Sequence, residues 1–144
     1  MLLIGITVSL VSLRLGHDPK KLAEDEARRF AALLEHVRDE SIQTGTVFAV
    51  ELDADGRGYR FLRPAPKWTP VQRDSLLRPR ALAEPLRATL DVPGSPPGAP
   101  AWIFLTPAGE ISPFRFRLRL PGQATAYLVQ LDANQTPRVS ADAG

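Results

Sequence analysis

At 144 residues and 15.8 kDa the chain has the length of one domain, enough to bury a core without covalent staples. It has no cysteine and only 2 histidines, which excludes disulfides, thiolate zinc sites, cysteine nucleophiles and a histidine-rich metal centre. A net charge of +2 is too small to argue by itself for nucleic acid or an anionic membrane, and 14 prolines with 10 glycines imply turns and loops rather than a helix bundle.

The opening segment 1-15, MLLIGITVSLVSLRL, carries one charge, Arg14. At about 1.5 Å per residue a helix here covers about 22 Å, against a hydrocarbon core of about 30 Å. It is too short to span a membrane alone and too apolar for a free terminus. Three readings compete. A signal peptide needs basic residues ahead of the apolar run and a small-residue cleavage site, and Arg14-Leu15-Gly16-His17-Asp18 makes a poor one. A buried core helix is the second. The third, which we prefer, is a partial transmembrane helix whose beginning lies ahead of Met1, completed by roughly five to ten further apolar residues. On that reading Leu2, Leu3, Ile4, Ile6, Val8, Leu10, Val11 and Leu13 face lipid.

The amphipathic helix 16-45 comes next. Asp18 suits the N-cap and Pro19 the first helical position, and no Gly or Pro interrupts Lys20 to Thr44. Ala23, Ala27, Phe30, Leu34, Val37 and Ser41 recur at three- and four-residue steps, flanked by Leu33 and Ile42, and Gly45 is the stop. Phe30, Leu34 and Val37 are the candidates for packing the helix on a sheet. Glu24, Asp25, Glu26, Glu35, Asp39 and Glu40 alternate with Arg28, Arg29 and Arg38, which reads as a solvated, salt-bridged face.

Residues 46-144 read as an antiparallel β-sheet head. Thr46 to Asp53 alternates with Phe48, Val50 and Leu52 on one face, Asp55-Gly56 signals a turn, and Tyr59 and Phe61 lie on the return strand. Pro64 to Pro85 is punctuated by proline, and its strand content is not legible. Leu86 to Val92 is a strand, 92-100 a loop, Ala101 to Leu105 a short apolar strand and Pro107-Ala108-Gly109 a turn. Phe114 to Leu120 alternates, with Phe114, Phe116, Leu118 and Leu120 inward and Arg115, Arg117 and Arg119 outward. Tyr127 to Leu131 is the last strand, and Asn134 to Ala143 reads as a turn and tail. One long helix followed only by strands makes the fold class α+β, with the apolar stripe of the helix covering a sheet face.

No catalytic constellation occurs in the sequence, and we expect no enzyme, no cofactor, no metal and no small-molecule substrate. His17 and His36 are 19 residues apart and lack metalloprotease spacing. Asp53-Ala54-Asp55-Gly56 lacks the remaining ligands of a calcium loop and reads as a hairpin turn. No phosphate-binding or dinucleotide fingerprint and no nucleophile elbow occurs. The one polar candidate is Arg115, Arg117 and Arg119: either an exposed face or protected edge strand, or the contact for an acidic partner.

The order of elements, with Ile103-Phe104-Leu105-Thr106-Pro107-Ala108-Gly109 and then Pro113-Phe114 running into alternating Arg and Leu, resembles the GspH/FimT-like minor pseudopilins, the GspH branch most. Arg29 to Gly45 and Tyr59-Arg60-Phe61-Leu62 also resemble that family. The motif residues are Phe104, Pro107, Gly109, Pro113 and Phe114. The resemblance implies a type IV pilin-like fold: a long helix with an apolar first half, packed on the sheet head. It implies a structural subunit at or near the tip of the type II secretion pseudopilus, in contact with other pseudopilins. It also implies a single-pass inner-membrane protein with its head in the periplasm. A FimT-like pilus minor pilin binding DNA through the basic strand face is the rival. The family's processing site, a Gly ahead of a Phe-Thr-Leu-Ile-Glu run, is not among these residues, and Met1-Leu2-Leu3-Ile4-Gly5-Ile6 resembles the interior of the family's transmembrane segment.

Overall fold

The computed structural model describes residues 19–64, 67–71, 74–96, 101–122 and 126–142. The apolar segment 1-15, the Asp18 cap, His17 and the end of loop 92-100 lie outside the described residues. Helix α1 (Pro19–Thr44) uses proline where a helix needs no amide donor and runs without a breaker until Gly45. Gly45 takes the left-handed conformation, φ 66°, and its amide donates to Ser41 O at 2.9 Å. The stripe from Ala23 to Ser41 is buried along its length, and Ile42 beside it stays exposed.

The strands are β1 (Phe48–Leu52), β2 (Gly58–Pro64), β3 (Trp68–Pro70), β4 (Arg80–Ala81), β5 (Arg87–Asp91), β6 (Trp102–Leu105), β7 (Arg115–Arg119), β8 (Ala126–Leu131) and β9 (Pro137–Asp142). They form two antiparallel sheets. The first runs β3-β2-β1-β6 with β4 also on β2, and the second runs β5-β7-β8-β9. Alternation within strands does not reveal this division, because core-facing and outward-facing positions alternate in the same way in the strands of both sheets. The proline-rich middle supplies β3 and β4. Between them Asp74 Oδ1 accepts from the amides of Leu76 and Leu77, closing a turn that drops Leu77 into the core.

The tail reading of Asn134 to Ala143 is corrected: Pro137–Asp142 pairs with β8 from Leu131↔Pro137 to Ala126↔Asp142. It escaped the pattern because it is an edge strand that opens on proline, with only Pro137, Val139 and Ala141 on the core side, too few for a period to register. Helix α1 crosses the inner faces of both sheets, and Phe30 is the hub. Its ring stacks on Phe116 at 3.8 Å and 10°, and meets Tyr59 edge-on at 5.0 Å and Phe114 at 6.2 Å. Leu34 and Val37 continue the contact, both fully buried.

The sheets are joined where the β1–β2 turn meets β5. The Ala88 amide donates to Gly56 O at 2.8 Å, and a Cβ on Gly56 would lie 2.5 Å from Ala88 O. Only glycine fits there, at φ 72°. The turn from Asp53 to Gly58 is therefore a close-packed junction between the sheets.

Candidate interaction surfaces

The solvated reading of the helix charges fails at Glu26. Lys21–Asp25 and Arg28–Glu24 pair in the open, at 3.2 and 3.3 Å, but Glu26 is only 6% exposed. It sits one position before Ala27 on the buried stripe, so helix geometry turns it inward. Burial raises its carboxyl above the usual range, against the opposing pull of Arg29, 3.2 Å away, and of Arg80. Tyr59 lies opposite Arg80 across the β2–β4 pair, and burial, with Glu26 adding to it, pushes its hydroxyl up. The spacing of charges in the sequence contains no sign of this cluster, because Arg80 and Tyr59 reach it from distant strands.

The motif around β6 makes a tight turn against the end of the helix. Gly109 N donates to Thr106 O at 2.9 Å and Thr106 N to Glu110 O at 2.9 Å. Gly109 takes φ 87°, and a Cβ there would touch Ile42 Cδ1 at 3.4 Å. Pro107 is half-buried and Pro113 exposed, while Phe114 is buried against Phe30. Ser41 Oγ, fully buried, donates to Thr46 O at 2.6 Å and is 3.2 Å from Leu105 O. One helix hydroxyl thus fastens both the chain entering β1 and the end of β6.

Arg115, Arg117 and Arg119 lie on the outer face of the second sheet. The protected-edge reading does not apply, since β7 is an interior strand between β5 and β8. The register places Arg87 opposite Arg119, Thr89 opposite Arg117 and Asp91 opposite Arg115, and Arg138 of β9 faces Gln130 of β8 in the same row as Arg115. Five arginines therefore share one face. Arg87 is held by Glu84 at 3.3 Å and by Leu86 O at 2.8 Å, and Arg138 by Asp132 at 2.7 Å. Sequence shows the three arginines of β7; only pairing adds the other two.

The outer face of the first sheet is different. Trp102 and Phe104 of β6, Ala49 and Glu51 of β1, Leu62 and Arg60 of β2, and Trp68 of β3 fall on it by register. The rings of Trp68 and Trp102 are 5.4 Å apart at 76°, Trp68 and Phe104 are 5.8 Å apart, and Trp102 and Phe104 6.0 Å. They cover Ala49 and Leu62, which are buried on what is otherwise the solvent side, yet Phe104 stays 39% exposed. Beside them Trp102 Nε1 donates to Glu51 at 2.7 Å, and Arg60 pairs with both Glu51 and Asp53. Trp68 carries no strand signal of its own in the sequence, because its strand has only three residues among prolines.

A cleft of about 620 Å³ is lined by Leu90, Val92, Pro93 and Phe114 together with the charged Asp91 and Arg115. Among the described residues no group of three or more His, Asp or Glu side chains could hold a metal, and no helix is long and apolar enough to cross a membrane.

The family model described as "Type II transport protein GspH" matches residues 26–135. The minor pseudopilin EpsH from the Type 2 Secretion System of Vibrio cholerae is similar in structure, with 26% identity, a TM-score of 0.69, and coverage of 82% of this chain and 94% of that one. A second structure of EpsH gives 23% identity, a TM-score of 0.70, and coverage of 85% and 98%. The Pseudomonas aeruginosa type IV minor pilin FimU shares the fold at 16% identity and a TM-score of 0.58, covering 85% of this chain and 90% of that one. Among curated proteins nothing matches.

Proposed function

We propose a function from one premise: this chain belongs to the GspH family of type II transport proteins. It is a minor pseudopilin of a type II secretion system, a structural subunit rather than an enzyme. The observation that carries this is the α1 helix laid across both sheets. That arrangement extends over the stretch matched by the family and aligns with almost the whole of the EpsH chain.

The physical logic is that of a filament subunit. A helix satisfies its own backbone hydrogen bonds and so tolerates a bilayer. The apolar segment ahead of α1 supplies the anchor, with the sheet head in the periplasm. Drawn from the membrane, such a segment is shielded by neighbouring helices of the same kind, and heads repeat around the outside through unlike surfaces, the geometry of open helical growth. The role is mechanical: the subunit sits at or near the tip of a short filament and supports export across the outer membrane, with other pseudopilins as its partners.

Deletion of the gene tests this. Export of the system's substrates should stop, with the substrates retained in the periplasm, and the full-length gene should restore it. Undiminished export would refute the role. The arginine face favours one rival, a pilus subunit that binds DNA. DNA affinity through this face should fall steeply between about 50 and 200 mM salt as phosphate counterions are released, and R115E/R119E should abolish it. Absence of salt-sensitive binding removes that rival.

A further inference from the structure

We propose that the outer face of the first sheet, where Trp68, Trp102 and Phe104 adjoin Glu51 and Asp53, is the seat for a cationic side chain of a neighbouring pseudopilin head. The inference rests on the pseudopilin reading and names the surface and the partner chemistry.

Three observations converge. The first is composition: apolar rings occupy the side of the sheet that faces away from the core, rimmed by polar groups, and Phe104 is left 39% exposed. Exposed apolar patches of this kind, and Trp and Arg within them, mark contact sites. The second is charge. The β1–β2 register puts Glu51 and Arg60 on this face, and Asp53, just past β1, joins them through its ion pair with Arg60: two carboxylates against one guanidinium, an excess of one negative charge. Aromatic ring faces are themselves electron-rich, so rings and carboxylate excess both select a cation. The third is preorganisation. Trp102 Nε1 is fixed by Glu51 at 2.7 Å, Glu51 by Arg60, and Arg60 by Asp53 at 3.1 Å, so the ring nearest the carboxylates is held in place before any partner arrives. The second sheet's outer face, with five arginines, has the opposite character. A pilin-like neighbour presenting a strand face of that kind is the complement this surface fits.

The chain's only 2 tryptophans both lie in this patch, so they report on it alone. The full chain, carrying 5-fluorotryptophan and held in detergent, is titrated with each co-encoded pseudopilin, unlabelled, one at a time. The expected result is that one of them shifts or broadens both fluorine resonances saturably. That response should weaken about tenfold in Phe104→Ser, and severalfold in Asp53→Asn or on raising salt from about 50 to 500 mM. A pseudopilin that binds by sedimentation while both resonances stay unmoved places the contact elsewhere and overturns the proposal. A response indifferent to salt and to Asp53→Asn shows an apolar partner and overturns the cationic chemistry. If no pseudopilin binds by either measurement, the assembly reading falls first and takes this one with it. Unchanged circular dichroism of both variants, whose altered side chains are exposed or half-exposed, shows that lost binding is not lost folding.

Discussion

Phe30→Ala empties the point where the helix meets both sheets, and its size can be worked from the contacts. Phe30 is 1% exposed and touches Phe116, Tyr59 and Phe114, one ring from the first sheet's inner face and two from the chain of the second. Truncating a buried phenylalanine costs about 3–5 kcal/mol through lost transfer energy and the cavity left behind. Here the hole opens where helix and both sheets meet, so no single element can relax into it, and the upper part of that range applies. Domain stability is only about 5–15 kcal/mol, so the variant retains little reserve. Its Tm should fall by roughly 15 °C. Phe30→Leu preserves most of the volume and should cost about 1.5 kcal/mol, separating cavity from chemistry. The assay is urea denaturation of the full chain followed by near-ultraviolet circular dichroism, which also senses the ring stack. A cost for Phe30→Ala below about 1 kcal/mol, or equal costs for the two variants, would refute the claim that this ring is the hub.

Gly56→Ala and Gly94→Ala form a matched pair. Both glycines have positive φ, 72° and 86°, but a Cβ on Gly56 meets Ala88 O at 2.5 Å and one on Gly94 meets nothing within 4 Å. Gly94→Ala should cost about 1 kcal/mol of backbone strain, and Gly56→Ala clearly more, since the sheets must part; equal melting temperatures would disprove the junction. Ser41→Ala leaves Thr46 O and Leu105 O without their shared donor and should cost about 1–3 kcal/mol by denaturant titration; a neutral result would mean water serves both carbonyls equally well. Glu26 governs a pH dependence. Its folded-state pKa is raised by burial, so its contribution is complete below the ordinary carboxylate value of 4.5 and is lost as pH rises through the folded value. Glu26→Gln should therefore gain stability relative to the parent chain as pH goes from 4 to 7. A difference in melting temperature that does not change with pH contradicts that sign.

The periodic elements were legible because they obey short-range rules. The step of three and four from Ala23 to Ser41 predicts the buried stripe of α1, and the step of two from Phe114 to Leu120 predicts which side of β7 lies inward. Gly45 and Gly56 announce a helix stop and a turn through conformations that other residues avoid. The family motif was legible for the same reason, being one tight turn with its flanks.

What tertiary structure alone decided depends on residues brought together from far along the chain. The split into two sheets follows from pairing partners, and no strand carries the identity of its partner in its own alternation. Glu26 looked like one more surface carboxylate until Tyr59 and Arg80 closed over it from β2 and β4. Trp68 and Trp102 are 34 positions apart and became one surface only when β3 and β6 were placed in the same sheet. Local sequence sets where each side chain points along its own element; which side chains then share a face is set by long-range pairing, whose closure entropy and burial are properties of the whole chain.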